Sequence, residues 1–287
     1  MLAIIGTVPD DSVPVLVGPA DLDGDTIVVQ GRRFAVNRGT PALLAAAIAA
    51  GRVLGQPPPI AYLVGDIGRG DGSRRLYAHL SDHIAGTDHE VLVFHYLQPD
   101  VDWHNRVLFA VEEMATRPIL IADAGFMYVA KMSGQAEAYD LFTPDIGELS
   151  FLADEQAPHP FYTRGFILHM ADRAPEMIAM AYRHQNAARH LLVKGRRDYV
   201  ADATGIRVTI DAPDVPNLEP IGGTGDTVTG IAAALAHQGM PIAAAAEAAA
   251  RINRMAGQAA NPTPATQVTN IIARIGRAVE RVLPAVV

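Results

Sequence analysis

The sequence predicts an α/β fold: a mainly parallel central sheet with helices on both faces. Three observations predict it. Strand-like apolar runs alternate with helix-like amphipathic runs through most of the chain. The length, 287 residues, exceeds a typical domain but suits one large α/β domain. An apolar share of 49% with 19% charged residues is that of a globular protein.

The elements follow in order. "MLAIIGTVPD" reads as an edge strand near residues 2–5, because it has no basic leader and meets Pro9 and Asp10 too soon for a signal peptide. "VPVLVGP" and "DTIVVQGRRFAV" give strands near 14–18 and 26–30 with only the turn-rich "ADLDGD" between them. The single domain, 1–287, is therefore expected to carry a small N-terminal β flap over 1–36, which could pair between subunits of a homo-oligomer. A helix near 41–54 leads through the stiff "GQPPPI" into a strand near 60–64, then a helix near 73–84. Strands near 90–95 and 119–122 bracket a helix near 103–116. After the loop "DEQAPHP" come a helix near 172–187, a strand near 190–193, and helices near 227–238, 242–257 and 266–282. The alanine runs at 232–234 and 243–250 are strong helix formers with no chemical message.

Composition narrows the chemistry. Without cysteine there is no disulfide framework, zinc–cysteine site or thiol nucleophile. A net charge of −8, spread without long blocks, gives no footprint for nucleic acid. No stretch of about 18 apolar residues predicts a membrane span, so the chain is read as cytoplasmic.

Three stretches carry chemistry. In "IGGTGDTVTG", residues 221–230, Asp226 stands at the start of a helix behind close-set glycines. Free N–H groups there bind anions, and a carboxylate beside them suits a base that takes a hydroxyl proton while the amides hold charge on a transferred phosphoryl group. A helix-capping aspartate after a flexible turn explains the local pattern equally well. In "LFTPDIGELSFLAD", residues 141–154, Asp145 and Glu148 could share a magnesium ion, or form a capping box. In "HLLVKGRRDYVAD", residues 190–202, Lys194 and Gly195 end a strand at the sheet edge where open α/β folds bind ligands; a lysine marking the strand's exit to solvent is the plainer reading.

Taken together and in this order, "TPDIGE", "LLVKG" and "GGTGDTVTGIAAALAHQG" resemble the ribokinase-like superfamily, and within it the ATP/ADP-dependent NAD(P)H-hydrate dehydratases. "PILIADAGFMYVA" and "AAARINRMAGQAA" extend the resemblance over roughly residues 118–260. Upstream, "NRGTPALLAAAIAAGRVLG" and "IAYLVGDIGRGDGSRRLYAHL" look like the sugar-kinase pattern. Two departures stand out: Asp145 replaces the family's usual histidine, and "FHYLQPD" replaces its glycine-rich loop.

The resemblance implies a ribokinase-like three-layer α/β/α sandwich. It implies Asp226 as base, with Gly223, Thr224 and Gly225 as the anion hole. It further implies Asp145 and Glu148 for Mg2+, Lys194, Gly195 and Asn253 near the nucleotide (ATP or ADP), and Asp123 in the substrate pocket. Partners would be a nucleotide and a small molecule. The expected reaction is phosphorylation of a hydroxyl followed by phosphate elimination, with a small-molecule kinase or a catalytically silent nucleotide binder as alternatives.

Other signals read as structural. His79, His83 and His89 lack the glutamate of hydrolytic zinc helices, and the arginines of "GRGDGSRR" fit a solvated turn. Trp103 and the "FHY" of residues 94–96 fit ordinary packing.

Overall fold

The computed structural model describes residues 1–156 and 173–283. Eleven strands form one sheet: β1 (Leu2–Val8), β2 (Leu16–Asp23), β3 (Thr26–Val29), β4 (Arg32–Ala35), β5 (Ile60–Gly65), β6 (Val91–His95), β7 (Ile119–Asp123), β8 (Leu141–Phe142), β9 (His190–Val193), β10 (Asp198–Asp202) and β11 (Gly205–Ile210). Their order is β11-β10-β9-β8-β7-β6-β1-β5-β2-β3-β4. From β5 through β1 to β9 every pairing is parallel, and antiparallel strands extend both edges.

Helices cover both faces. One layer holds α1 (Thr40–Val53), α7 (Thr224–His237), α8 (Ile242–Ala259) and α9 (Val268–Val282). The other holds α2 (Asp71–His83), α3 (Val101–Glu112), α4 (Gly125–Met132), α5 (Ile146–Ala153) and α6 (Ala174–Arg183). The pleat explains why β1 and β6 are apolar on successive residues. Leu2, Ile4, Val91 and Val93 enter the first core, while Ala3, Ile5, Leu92 and Phe94 enter the second. Between α1 and α7 the approach is close enough that a Cβ at Gly230 would stand 2.2 Å from the Leu43 carbonyl oxygen.

The sandwich expected from the resemblance is thus present, with one correction at the N-terminus. β1 is not an edge strand and does not belong to a flap: it pairs on both sides, with β5 and β6, at the centre of the sheet. The antiparallel unit expected over 1–36 is confined to β2–β4, which continue the sheet from β5. "ADLDGD" is largely strand, because β2 runs through Asp23 and only Gly24 and Asp25 make the turn. The expected helices occur within a few residues of their predicted bounds. Residue 172 of the predicted 172–187 helix, and residues 157–160 of the "DEQAPHP" loop, lie outside the described residues.

Candidate active site

The parallel strands run outward from β1, to β5 on one side and to β6–β9 on the other, so the sheet has a topological switch point between β1 and β6. Ligand crevices form at the carboxyl ends of strands at such points. His95 ends β6, Asp123 ends β7, and Lys194 follows β9. β6 and β7 are each followed by a non-glycine residue at positive φ, Tyr96 at 55° and Ala124 at 53°. Backbone held there is strained, and such positions concentrate at functional sites.

Asp226 reaches this edge from the first turn of α7. Gly223 precedes the helix with φ 95° and offers no side-chain cap, so the N–H groups of the first turn keep their capacity to donate to an anion. Asn253 braces that turn from behind: its amide donates to the Thr224 carbonyl at 3.2 Å, and its oxygen accepts from Thr227 Oγ1 at 2.7 Å. Both carboxylate oxygens of Asp226 are anchored. Oδ2 accepts from the Gly39 N–H at 2.6 Å, and Oδ1 lies 3.1 Å from His95 Nε2. Burial acts to raise the Asp226 carboxyl, but the hydrogen bond and charge of His95, then the Lys194 ammonium and the Gly39 N–H, outweigh it and hold the group below the usual carboxylate value.

Asp123 and Lys194 form the adjoining half of the site. Lys194 Nζ donates to Asp123 Oδ1 at 2.9 Å and Oδ2 at 3.0 Å. Asp123 also accepts from the Ala124 N–H at 2.8 Å and from Thr229 Oγ1 at 2.6 Å, a hydroxyl 2.9 Å from Thr143 Oγ1. Burial alone would depress the Lys194 ammonium; the charges of Asp123 and Glu148 overcome it and raise the pKa. A Cβ on Gly225 would sit 3.6 Å from Lys194 Nζ, so the ammonium lies beside the glycine turn of α7. Gly195 donates to Asp198 Oδ1 at 2.9 Å, and Arg254 clamps its loop by bonding Asp198 Oδ2 at 2.7 Å and the carbonyls of Gly195 and Arg196.

Asp145 and Glu148 make the capping box of α5: Asp145 Oδ1 accepts from Glu148 N, and Glu148 Oε2 from Asp145 N, both at 2.7 Å. One oxygen of each carboxylate takes no part in that box. Beyond β8 a parallel backbone bridge pairs Asp145 with Lys194, and the charges of Glu148 and Lys194 act on one another. Partial withdrawal from water and the charge of Asp145 push the Glu148 carboxyl up, against the pull of Lys194. Two carboxylates with one oxygen each outside the capping box are donors of the hard oxygen type that magnesium takes.

Among the described residues, His95, Asp123 and Asp226 are the one group of three whose ligand atoms lie within 4.8 Å of one another. Asp123 is already saturated by an ammonium and two further donors, so this cluster reads as a hydrogen-bonded network and not as a metal centre.

The structure therefore brings Asp226, Gly225, Lys194 and Asp123 together at the carboxyl edge of the sheet, with Gly223 and Thr224 in the turn that leads to Asp226 and Glu148 within electrostatic reach of Lys194. Asn253 and Gly195 sit behind that edge, shaping backbone. Gly39, Thr40 and His95 join the site although no local motif marks them for it, and His95 by itself fits ordinary packing. His95 ends a buried strand at the same edge as Lys194, and the rule that singled out the lysine applied to it equally.

Asp66, in "GRGDGSRR" territory, organises the loop after β5. Its Oδ1 accepts from the N–H groups of Gly68, Arg69 and Gly70, and its Oδ2 from Ser73 N and Oγ. Arg69, Arg74 and Arg75 rim a cleft there, all three exposed. His79 and His83 stack on one another at 4.3 Å on α2.

This three-layer sandwich is ribokinase-like, as solved structures show. The Bacillus subtilis ADP/ATP-dependent NAD(P)H-hydrate dehydratase, co-crystallised with ATP and Mg2+, superposes with TM-score 0.57 at 13% identity, covering 98% of this chain and 89% of that one. The Staphylococcus aureus pyridoxal kinase in complex with AMP-PCP and pyridoxal gives TM-score 0.52 at 11% identity, covering 88% and 86%. The family described as NAD(P)H-hydrate dehydratase matches residues 98–277, and the chain belongs to it. An uncharacterised protein of Methanocaldococcus jannaschii is 39% identical over 220 residues, 76% of this chain and 90% of that protein. The bifunctional NAD(P)H-hydrate repair enzyme of Pyrobaculum aerophilum is 30% identical over 145 residues, 49% of this chain but 26% of that longer protein.

Proposed function

We propose that this chain transfers the terminal phosphoryl group of ATP or ADP to a hydroxyl held against Asp226, and that the hydroxyl belongs to hydrated NADH or NADPH. The observation that carries this reading is the anchored, ionised Asp226 beside the uncapped first turn of α7. Asp226 accepts the hydroxyl proton as the oxygen attacks the terminal phosphorus and the nucleotide leaves one phosphate shorter. The N–H groups of Thr224 and Gly225, with Lys194 beside them, face the charge on the transferred group. In the dehydratase, the C–O bond then breaks, phosphate departs, and the neighbouring carbon loses a proton to restore the dinucleotide's double bond. Asp145 and Glu148 would hold Mg2+ through their uncommitted oxygens, where it neutralises phosphate charge.

Family membership favours the dehydratase. Asp145 and the stretch "FHYLQPD", which depart from the family pattern, favour a second reading: a kinase that stops at a phosphorylated small alcohol. The test mixes hydrated NADH or NADPH with ADP or ATP and magnesium. Recovery of nicotinamide absorbance supports the dehydratase. Nucleotide cleavage that depends on an added alcohol identifies the kinase, and nucleotide binding without either reaction identifies a sensor.

A further inference from the structure

We propose that His95 is a positioning residue for Asp226: its Nε2–H holds the carboxylate turned toward the substrate space, and Thr40 fixes the ring that does so. The proposal rests on the reading of Asp226 as the base. Three observations support it.

First, the imidazole is fully buried and both nitrogens are engaged, Nε2 with Asp226 Oδ1 at 3.1 Å and Nδ1 with Thr40 Oγ1 at 3.0 Å. A carboxylate offers no proton, so Nε2 must carry one, and Nδ1 then meets the Thr40 hydroxyl, which serves a neutral or a charged ring. Second, His95 and the Gly39 N–H take one oxygen each, which fixes the plane of the carboxylate while each oxygen keeps a second acceptor site for a substrate hydroxyl. Third, His95 stands between two carboxylates. Its Nε2 is 4.0 Å from Asp123 Oδ2, whose charge is met by Lys194. Without the donor on Nε2, Asp226 would face Asp123 with less compensation and bind its proton more readily. The groups facing Asp226 are therefore His95 from β6, Asp123 from β7, Lys194 after β9, Tyr96, and the Gly39 N–H ahead of α1.

This support occupies the strand end where "FHYLQPD" stands in place of the glycine-rich loop of the family pattern.

The test follows Asp226 by carboxyl-carbon NMR and His95 by ring-nitrogen NMR in the full chain, for wild type, His95→Phe and the near-isosteric Thr40→Val. The expected result is a protonated Nε2 in wild type. The Asp226 midpoint should move up by about one pH unit or more in His95→Phe, and by less in Thr40→Val. In turnover, kcat of His95→Phe should fall about ten- to hundredfold, with its acid limb moved to higher pH and nucleotide KM little changed; His95→Gln, which can still donate, should recover part of the loss. An unchanged Asp226 midpoint in folded His95→Phe overturns the proposal. If that variant does not fold, an unchanged midpoint in Thr40→Val overturns it instead. If the midpoints move as expected while wild type catalyses neither reaction, the positioning stands and the assigned reaction falls.

Discussion

Lys194 and Asp123 form an ion pair sunk into the carboxyl edge of the sheet, with Nζ 2.9 and 3.0 Å from the two carboxylate oxygens and side-chain exposures of only 11% and 2%. It ties β7 to the loop after β9 and sets the ammonium beside Gly225. A buried pair adds little over apolar residues, but removing one partner strands the other's charge. Asp123→Asn should therefore destabilise the fold by about 3–5 kcal/mol, measured by denaturant unfolding, and the double variant Asp123→Asn, Lys194→Met should recover part of that loss. The folded-state pKa of Lys194 is raised, so its contribution is complete below the ordinary lysine value and lost only as pH rises through the folded one. The gap between wild type and Asp123→Asn should thus stay constant across the neutral range.

The two glycines flanking Thr224 differ in why they are glycine. At Gly223, φ is 95° and a Cβ would stand 3.1 Å from Val268 Cγ2, 3.2 Å from Arg38 Cα and 3.3 Å from the Asn37 carbonyl oxygen. Gly223→Ala should cost about 1–3 kcal/mol of stability. At Gly225 the backbone is helical, and the three atoms nearest a Cβ all belong to Lys194, at ordinary contact distance. Gly225→Ala should fold as well as wild type or better, by up to about 1 kcal/mol, because alanine is the better helix residue. The same methyl crowds the space between the helix amides and the ammonium, and turnover should fall about tenfold or more. Thermal unfolding and turnover of the two variants separate the roles.

Asp66 is a carboxylate serving as a loop's hub. Burial works to raise its pKa, and the Ser73 and backbone N–H donors overcome it and lower the value. The stabilisation is present above the unfolded aspartate value and is lost as pH falls through the folded one. Asp66→Asn should cost about 1.5–3 kcal/mol at neutral pH. Unfolding curves of the two proteins should converge as the solution is acidified.

How much of this was legible in the sequence follows element length and the reach of local patterns. Asp226, Lys194 and Asp123 were readable because each ends or opens an element at the sheet's carboxyl edge within a recognisable run of motifs. His95 was weighed as an aromatic packing residue. Its partners, Gly39, Thr40 and Asp226, come from elsewhere in the chain, and no local spacing reveals them. The same limit misplaced β1: "LAIIG" is apolar at an edge or in the centre, and only its pairing with both β5 and β6 decides. β8 has two residues, and α4 and α5 have eight each, too few to establish a period. β10 and β11 carry charged residues where they extend the sheet beyond β9, which hides their strand pattern.

If Asp226 is the base of a phosphoryl transfer, as proposed, Asp226→Asn removes the base and leaves the rest of the site in place. Amide for carboxylate preserves shape and can still accept from Gly39 while losing the basic oxygen pair. Nucleotide binding by calorimetry is measured alongside recovery of nicotinamide absorbance, or cleavage of nucleotide with an alcohol acceptor. Asp226→Asn should still bind ATP while turnover falls about 10²–10⁴-fold. Turnover equal to that of wild type would contradict Asp226 as the base.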